Sequence, residues 1–305
     1  METSASSSNP LVILNPAANR GHMARYREIV HSRLEREHAE YVETTKRGEA
    51  KERARRASNE GRPVVIVGGD GSIHEVVNGI LSSGRRIPLG IVAAGSGNDY
   101  ALNTLKLPHD PAAAIERAFS GQLIDVDAGI VNGEYFANSF SVGLDANIAV
   151  AADRLKNLPL MSGVRLYYSA TLEQLLFGYS RCPWLALRLD DGQQAGEQQI
   201  RRYVVMAVTI GPTYGAGFRI CPTADYSDGL FEICTIRYTP LLRALRLLPT
   251  VRKGEHTGLP EATFYRAKSV HIEARQPVNV QMDGETGSAS SYDARILPGA
   301  LWVRV

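Results

Sequence analysis

The stretch VVIVGGDGSIHEVVNGI, Val64 to Ile80, joins a short apolar run to a helical pattern through a turn rich in glycine. A run of Val and Ile bounded by turn residues is typical of a buried strand. The helix that begins near Ser72 directs free backbone N–H groups and a partial positive charge toward that turn, and glycine lets the backbone approach a phosphate closely. The stretch therefore predicts a strand–turn–helix unit with an anion-binding turn around Asp70.

Units of the same kind continue on both sides of this stretch, from Leu11 to about Asp125. Strands are predicted at LVILNP, YVETT, VVIVGG and IPLGIVAAG, and helices over Met23–His38, Glu49–Asn59 and Ile73–Leu81. Strands that alternate with helices form right-handed crossovers and a parallel sheet. We therefore expect an α/β domain with a parallel sheet over residues 10–128, preceded by a disordered tail over residues 1–9.

The pattern changes after Asp125. Asn132-Gly133 lies between alternating apolar residues, which is a strong hairpin signal. Helical patterns over Ala146–Asn157 and Val164–Phe177 are followed by strand-like runs at PWLALRLDDGQQ, RRYVVMAVTIG, LFEICTIRY, TFYRAKSVHIEA, PVNVQMDGE and LWVRV. These runs predict an antiparallel β-sandwich domain over residues 129–305, whose last residues pack back on the first domain. The ligand site is expected in the cleft between the two domains.

The composition narrows the class of protein. The chain has 305 residues and a net charge of +2, which is too balanced to indicate a nucleic-acid partner. Cys182, Cys221 and Cys234 have no metal-ligand spacing, so we expect a reducing compartment. The polar N-terminus lacks a signal peptide's apolar core, and no apolar run reaches the ~18 residues of a membrane span. The sequence thus predicts a cytoplasmic protein, which still allows docking on a membrane surface.

A second glycine-rich segment, Gly95-Ser96-Gly97-Asn98-Asp99, follows the next predicted strand. Ligands of open parallel sheets bind outside the carboxyl ends of the strands, so the two loops would line one crevice and bind nucleotide phosphates. The alternative is that the glycines only make tight turns. The chain lacks GxxxxGK[ST], and GDGSIHEVVNG is not a GxGxxG fingerprint, which disfavours Walker-type ATPases and conventional dehydrogenases.

Five motifs together resemble those of the diacylglycerol kinase catalytic domain family, which includes bacterial diacylglycerol kinases and sphingosine kinases. They are NPAANRG (Asn15–Gly21), GGDGSIHEVVNGI (Gly68–Ile80), AAGSGNDYA (Ala93–Ala101), PTADYSDGLFEI (Pro222–Ile233) and VQMDGE (Val280–Glu285). They occur in family order from Leu11 to Val305. The resemblance implies that ATP binds in the cleft between an α/β domain and a β-sandwich, and that its γ-phosphoryl group is transferred to a lipid hydroxyl.

The resemblance also implies roles for single residues. Asp283 matches the family's catalytic base, which accepts the proton of the attacking hydroxyl. The residues expected around the nucleotide are Asn15, Thr45, Gly69, Asp70, Gly71, Ser72, Gly95, Ser96, Asn98 and Glu285. The residues expected to serve Mg²⁺, directly or through water, are Asp70, Asp99, Asp127, Asp228 and Glu285.

Some of these positions allow a second interpretation. Ser72 and Ser96 replace threonines that are common in the family, but they keep the hydroxyl group. Asp228-Gly229 is also typical of a turn into a strand, and we favour the turn over a metal ligand. Asp283-Gly284 would likewise suit a hairpin turn. Glu75 and Asn78 are explained as well by capping and inter-helix hydrogen bonds as by ligand binding.

The sequence therefore predicts an ATP- and Mg²⁺-dependent lipid kinase at the cytoplasmic face of the membrane, with a lipid alcohol as its substrate. A soluble nucleotide kinase of the NAD kinase type shares GGDG and is one alternative. A nucleotide-binding regulator without phosphoryl transfer is another. The segment TPLLRALRLLPTVRKGEH is amphipathic and basic, so it either rests on anionic lipid or packs on the sandwich. The identity of the lipid and the oligomeric state stay open, with a homodimer as one candidate.

Overall fold

A computed structural model describes residues 9–95, 97–155, 163–189, 200–215 and 217–305. The chain divides into two compact units. Unit 1 contains the residues up to Val126 together with Gly299–Val305, and unit 2 is Asp127–Pro298. The division falls close to the predicted boundary at residue 128, and the end of the chain belongs to unit 1. Most of the predicted disordered tail lies outside the described residues.

Unit 1 is built on a sheet whose first four strands are parallel neighbours in the order β4-β3-β1-β2. The strands are β1 (Leu11–Leu14), β2 (Glu40–Glu43), β3 (Val64–Gly68) and β4 (Pro88–Ala93). The helices are α1 (Ala24–Glu37), α2 (Glu49–Asn59), α3 (Asp70–Ser82) and α4 (Pro111–Ser120), with a 3₁₀-helix at Ala18–Gly21 and a π-helix at Asp99–Thr104. Each parallel strand is therefore followed by helical structure along the chain.

The packing of unit 1 explains its elements. All residues of β1 and β3 are buried, as expected for parallel strands covered on both faces. Helices α2 and α3 approach closely at Gly79, where a Cβ atom would lie 2.3 Å from the backbone oxygen of Lys51. Helix α4 begins after Asp110, whose side chain accepts a hydrogen bond from the Ala113 backbone N–H at 3.0 Å. This cap satisfies one of the free N–H groups at the helix start.

The end of the chain adds a further strand to unit 1. Trp302 and Val303 pair in parallel with Pro88 and Leu89 of β4. The Trp302 indole N–H donates to Asp125 at 3.0 Å, and Asp125 also forms an ion pair with Arg86. Asp125 is thus occupied with structural contacts at this edge of the sheet.

Unit 2 is mainly antiparallel. Neighbouring strands follow the order β11-β10-β9-β7-β12-β13, while β8 pairs with β12 and β9, and β6 pairs with β5. The strands are β5 (Leu123–Val131, which begins in unit 1), β6 (Glu134–Phe136), β7 (Ser139–Gly143), β8 (Trp184–Leu189), β9 (Arg201–Thr209), β10 (Phe231–Arg237), β11 (Ala262–Ala267), β12 (Ser269–Met282) and β13 (Glu285–Arg304, which ends in unit 1).

The helices of unit 2 are α5 (Leu144–Leu155), α6 (Gly163–Glu173) and α7 (Leu241–Lys253). A π-helical turn at Gln174–Gly178 and a 3₁₀-turn at Tyr179–Arg181 follow α6. The helix predicted as far as Phe177 therefore changes its hydrogen-bonding pattern at Gln174. No helix in the described part of the chain is long and apolar enough to cross a membrane.

Aromatic side chains fill the core of unit 2. Phe136 stacks on Phe231 with ring centroids 5.7 Å apart, and it meets Phe140 edge-on at 5.3 Å. Gly129 faces the Phe136 ring so closely that a Cβ atom would lie 2.1 Å from the ring. The three cysteines are free and buried.

The strand boundaries differ from the prediction in the last third of the chain. The run at residues 263–274 was predicted as one strand, but it is divided between β11 and β12. Strand β12 instead continues for 14 residues to Met282. The predicted last strand LWVRV is only the end of β13, which spans 20 residues. The polar segment at the start of β13 hides this strand, because an antiparallel strand tolerates polar residues on its solvent face.

Candidate active site

The turn between β3 and α3 places Asp70 at the first position of the helix. Gly69 precedes it in an extended conformation, and no side chain caps the helix start. The Ser72 side chain is buried, and its Oγ accepts a hydrogen bond from Asn15 Nδ2 at 2.8 Å. Asn15 also binds the end of β3, since its backbone N–H donates to the Val67 carbonyl at 3.0 Å. Two of the predicted nucleotide residues, Asn15 and Ser72, are thus brought together.

The loop after β4 is closed by Asn98, which has a left-handed backbone with a φ of 59°. Its Oδ1 accepts a hydrogen bond from the Gly95 N–H, and its Nδ2 donates to the Gly95 carbonyl, each at 2.8 Å. The Asn98 backbone N–H donates to Asp70 Oδ2 at 2.7 Å. Asp70 therefore links the first loop to the second. Ser96 lies outside the described residues.

Gly69 and Gly95 bring the two loops into backbone contact. A Cβ atom on Gly95 would lie 2.5 Å from the Gly69 Cα and 2.7 Å from Asn98 Oδ1. The reverse substitution, a Cβ atom on Gly69, would lie 2.9 Å from the Gly95 Cα. Glycine is required at both positions because this approach leaves no room for a side chain. The loops together present a backbone surface at the carboxyl ends of β3 and β4, where ligands of open α/β sheets bind.

Thr45 and Asp99 have local partners in unit 1. The Thr45 N–H and its hydroxyl both donate to Glu49 Oε2, at 2.8 and 2.9 Å. These bonds lower the pKa of Glu49 to about 2. Asp99 is buried, and its Oδ1 accepts a hydrogen bond from Asn103 Nδ2 at 2.8 Å within the π-helix. The expected roles of Thr45 at the phosphates and of Asp99 at Mg²⁺ stay predictions.

Asp283 lies in the two-residue turn between β12 and β13, with Met282 paired to Glu285. Its φ is 47° and that of Gly284 is 93°, so the alternative reading of this dipeptide as a hairpin turn describes the backbone correctly. The Asp283 side chain also binds backbone N–H groups outside the turn. Asp283 Oδ2 accepts a hydrogen bond from the Ala137 N–H at 2.6 Å, and Oδ1 accepts from the N–H groups of Asn138 and Ser139 at 3.0 and 2.9 Å. Such donors stabilise negative charge on a carboxylate.

Buried polar groups in unit 2 accompany this turn. Asn138 Nδ2 donates to the Thr213 carbonyl at 2.8 Å. Within the described part of the chain, the buried hydroxyls of Ser139 and Thr213 have no hydrogen-bond partner. Unpartnered buried polar groups are rare in folded proteins and call for an explanation such as a bound group or water.

Asp145 and Tyr214 form a buried polar pair that the sequence did not reveal. The Tyr214 hydroxyl donates to Asp145 Oδ2 at 2.6 Å, while Asp145 Oδ1 is buried without a partner among the described residues. Burial raises the pKa of both Asp145 and Tyr214. The only sequence signal was an isolated aspartate after the apolar run SFSVGL.

Asp127 and Asp228 meet at one turn of unit 2. Asp127 Oδ2 accepts a hydrogen bond from the Gly229 N–H at 2.7 Å. Asp228 Oδ1 accepts from the Leu230 N–H at 2.9 Å, and its other oxygen forms an ion pair with Arg266. This is the geometry of a turn, which we favoured for Asp228; its role at a metal stays a prediction. Glu285 is the first residue of β13.

The carboxylates near the glycine loops decide whether the residues present suit the Mg²⁺ that the resemblance implies. The described residues include no group of three or more His, Cys, Asp or Glu side chains that could hold a metal ion. Mg²⁺ at nucleotide sites is usually bound by one or two carboxylates, substrate phosphates and water. Asp70, next to the backbone surface of the two glycine loops, would suit the role of such a single carboxylate ligand.

A pocket of about 360 Å³ lies in unit 2 among α5, the π-helical turn and β12. Its lining includes Asn147, Arg154, Phe177, Arg181 and Asn279. Asn279 Nδ2 donates to Asn147 Oδ1 at 2.8 Å, so the lining combines amide, cationic and aromatic groups.

Comparisons with known proteins agree with these features. Residues 9–131 match the diacylglycerol kinase catalytic domain, and residues 138–305 match the YegS C-terminal NAD kinase beta sandwich-like domain. The diacylglycerol kinase of Mycobacterium tuberculosis is 34% identical over 247 residues, covering 79% of this chain and 75% of the relative. The diacylglycerol kinase of Staphylococcus carnosus is 28% identical over 282 residues, covering 90% and 88%.

A crystal structure of a diacylglycerol kinase from Bacillus anthracis str. Sterne shares the fold, with a TM-score of 0.71 at 19% identity over 97% of this chain and 96% of that one. A second structure from the same organism gives a TM-score of 0.77 at 21% identity over 97% of both chains. The resemblance read from the five motifs is therefore confirmed, and so is the prediction of an α/β domain followed by a β-sandwich-like domain. The chain belongs to the diacylglycerol kinase family of lipid kinases.

Proposed function

We propose that this lipid kinase phosphorylates diacylglycerol, the acceptor named for its relatives, with ATP as the phosphoryl donor. The contact between the two glycine loops is the observation that most directly supports this proposal, because it concerns the binding of ATP. Gly69 and Gly95 bring the carboxyl ends of β3 and β4 together, and Asp70 and Asn98 lock the loops in place. Backbone N–H groups at such a position bind the phosphates of a nucleotide.

The rate of phosphoryl transfer would depend mainly on how the protein positions the nucleotide. Phosphoryl transfer requires little covalent chemistry from the protein, so rigid placement and charge stabilisation provide most of the rate. The side chains of Asn15, Ser72 and Asn98 bind the loop backbone or one another, and they would keep its N–H groups directed at the phosphates. Asp70, whose carboxylate lies between the two glycine loops, would help to hold Mg²⁺, which would supply positive charge against the phosphates.

We propose that Asp283 accepts the proton of the lipid hydroxyl as that oxygen attacks the γ-phosphorus, while the bond from this phosphorus to the β,γ-bridging oxygen breaks and ADP leaves. A general base has to be held in position, and the three backbone N–H donors fix both oxygens of the Asp283 carboxylate. Each carboxylate oxygen has further lone pairs that can receive the proton. In this proposal Asp283 has a catalytic role in addition to its structural role in the hairpin turn.

The place of transfer and the location of the protein are further proposals. Because the nucleotide loops belong to unit 1 and Asp283 belongs to unit 2, we propose the interdomain cleft as the place of transfer. A lipid acceptor resides in a bilayer and ATP in the cytoplasm, so we propose action at the cytoplasmic face of the membrane. Nucleic acid is not among the proposed partners, and a homodimer remains open to test.

Purified protein with γ-labelled ATP and Mg²⁺ tests the proposed function. The acceptors are offered separately: diacylglycerol, a sphingoid base, phosphatidylglycerol and soluble NAD. We expect the label in diacylglycerol. Label transferred to NAD would favour the NAD kinase type instead, and ATP binding without label in any acceptor would favour a regulator.

A further inference from the structure

Helix α6 and the π-helical turn after it expose an apolar stripe. Tyr168, Leu172, Leu176 and Phe177 are 62%, 58%, 61% and 69% exposed. The first three recur at a spacing of four residues, which places them on one face of the helix. Arg165, one turn before Tyr168, extends the same face and is also exposed. A surface helix of a globular protein normally turns such a stripe toward the core.

Helix α7 has a similar outer face. Leu242, Leu245 and Leu248 are 73%, 41% and 42% exposed, and no residue of this helix is fully buried. The two segments together provide most of the large exposed hydrophobic side chains among the described residues. Contiguous exposed apolar surface on a protein usually marks an interaction site.

The inner sides of both segments pack on one hydrophobic cluster. Ala170 and Leu175 reach it from α6 and the π-helical turn, and Leu241 and Ala244 reach it from α7. The Tyr179 hydroxyl, directly after the π-helical turn, donates to the carbonyl that precedes Pro240 at 2.7 Å. The two segments are therefore tied together through their inner sides. We call their exposed residues, from Arg165 to Phe177 and from Leu242 to Lys253, the α6–α7 face.

The charge of this face indicates what covers it. Helix α7 carries Arg243, Arg246, Arg252 and Lys253 and no acidic residue. Arg243 is paired with Glu261, and the Arg252 guanidinium lies over the Phe218 ring at 5.6 Å. Arg165, Arg246 and Lys253 are further cations of the face. An apolar face flanked by Arg and Lys is typical of helices that lie in the interface of an anionic bilayer.

The pocket of unit 2 adds a second reason to expect a lipid surface. Phe177 belongs both to the α6–α7 face and to the lining of that pocket. A bilayer on this face would bring its lipids close to a cavity whose lining includes the amides of Asn147 and Asn279 and the guanidinium of Arg181, while Arg154 in that lining is ion-paired with Glu173. Such groups suit the oxygen-rich head of a glycerolipid.

We propose that the α6–α7 face is the membrane-docking surface of this protein, with an anionic phospholipid bilayer as its partner. The inference extends the proposed function, because a lipid kinase has to reach an acceptor held in a bilayer. Docking itself requires neither ATP nor diacylglycerol. It can therefore be measured separately from the reaction.

Sedimentation with vesicles of phosphatidylglycerol and phosphatidylcholine, without ATP or diacylglycerol, tests the proposal. The double substitution Leu172→Ser/Leu176→Ser should weaken binding by about tenfold or more, because buried methylene groups drive insertion. Arg246→Glu/Lys253→Glu should also weaken it by about tenfold or more, since each basic residue near an anionic surface contributes attraction. Binding of the unsubstituted protein should fall with added salt and with neutral vesicles.

Matched substitutions elsewhere serve as controls. Leu123 is an exposed leucine of unit 1, and Lys51 and Arg56 are exposed cations of α2. Leu123→Ser and Lys51→Glu/Arg56→Glu should bind vesicles as the unsubstituted protein does. All replaced side chains are exposed, so thermal unfolding should stay within a few degrees of the original, which confirms that each variant is folded.

Activity distinguishes failure of docking from failure of the proposed function. With a short-chain diacylglycerol in detergent micelles, the face variants should retain activity within about twofold. With diacylglycerol in vesicles, they should lose about tenfold. Vesicle binding without any label transfer would contradict the proposed function and leave docking intact. Unchanged vesicle binding by both face variants would overturn the docking proposal. A dimer that the same substitutions dissociate, in a protein that does not bind vesicles, would overturn it in favour of a second copy.

Discussion

Gly95 is the residue at which the nucleotide loops leave the least room. A Cβ atom there would meet the Gly69 Cα at 2.5 Å, and the obstacle is backbone that cannot rotate away. We expect Gly95→Ala to separate the loops and to weaken ATP binding by at least about tenfold, which corresponds to about 1.4 kcal/mol. Isothermal titration of ATP measures the effect.

Gly258→Ala is the control for this substitution. A Cβ atom on Gly258 meets nothing within 4 Å, so ATP binding should not change. If Gly95→Ala bound ATP as tightly as Gly258→Ala, the contact between the loops would not be part of the nucleotide site.

At the scale of one residue, Asp283 shows what can and what cannot be predicted from the sequence. The motif around it predicted both a base and a hairpin turn, and the structure shows the turn directly. What the sequence could not predict is the origin of its hydrogen-bond donors. Asn138, for example, is 145 residues away in the chain, and nothing in its local sequence marks it as a partner. Contacts of that range depend on the sheet register and not on a motif.

At the scale of elements, Glu75 joins two helices of unit 1. Its carboxylate on α3 accepts hydrogen bonds from the N–H groups of Gly48 and Ala50, at 2.8 and 3.1 Å, at the start of α2. This is the capping that we considered for it from the sequence. Glu75→Ala should lower the free energy of unfolding by about 1–2 kcal/mol, because two N–H groups at a helix start lose their acceptor.

Chemical denaturation measures this loss, and Glu255→Ala, an exposed site, should change the free energy of unfolding by less than about 0.5 kcal/mol. Binding of ATP by Glu75→Ala should stay close to the original value. A large loss of ATP binding with unchanged stability would show that Glu75 is a ligand and not a cap.

Arg27 on α1 and Glu43 on β2 couple another two elements. Two hydrogen bonds of 2.7 and 2.8 Å connect them, and this pairing lowers the pKa of Glu43 to about 2. A lowered pKa in the folded state means that the pair stabilises the fold above the ordinary pKa of 4.5 and that this contribution is lost as the pH falls from 4.5 toward 2.

Glu43→Gln should therefore reduce the loss of stability between pH 4.5 and 2. We expect the difference to be about 1–2 kcal/mol, since the pair is partly exposed and solvent screens it. Denaturation at a series of pH values measures it. An identical acid dependence in Glu43→Gln would assign the acid sensitivity to other carboxylates.

Element boundaries also show where sequence patterns fail. Helices α1 and α2 and strands β1, β3 and β4 follow their apolar periodicity closely. Strand β13 does not, because its first half is polar and its buried residues, Tyr292, Ala294, Ile296, Leu301 and Val303, all lie beyond the first seven positions. On an antiparallel strand, alternation is weak wherever small polar residues occupy both faces.

At the scale of the whole molecule, the change from alternating strands and helices to hairpins predicted two domains, which the two matching family models confirm. The boundary at residue 128 stays a prediction. Five motifs in order predicted the family, which the comparisons confirm. The exposed stripe of α6 was not predicted, since Tyr168 and Leu172 in a helical pattern normally belong to a core. Only the packing of Ala170 and Leu175 on the opposite side shows which face is outside.

We propose that unit 1 holds ATP while Asp283 of unit 2 accepts the proton of the lipid hydroxyl. Transfer of label from γ-labelled ATP to diacylglycerol by Asp283→Asn tests it most directly, with Asp293→Asn, an exposed site 72% accessible at its side chain, as the matched control. We predict that Asp283→Asn loses at least about a hundredfold in kcat, as expected for a general base, while its ATP affinity stays within about threefold. The control should keep its activity. Near-normal turnover by a folded, ATP-binding Asp283→Asn protein would show that Asp283 is not the proton acceptor.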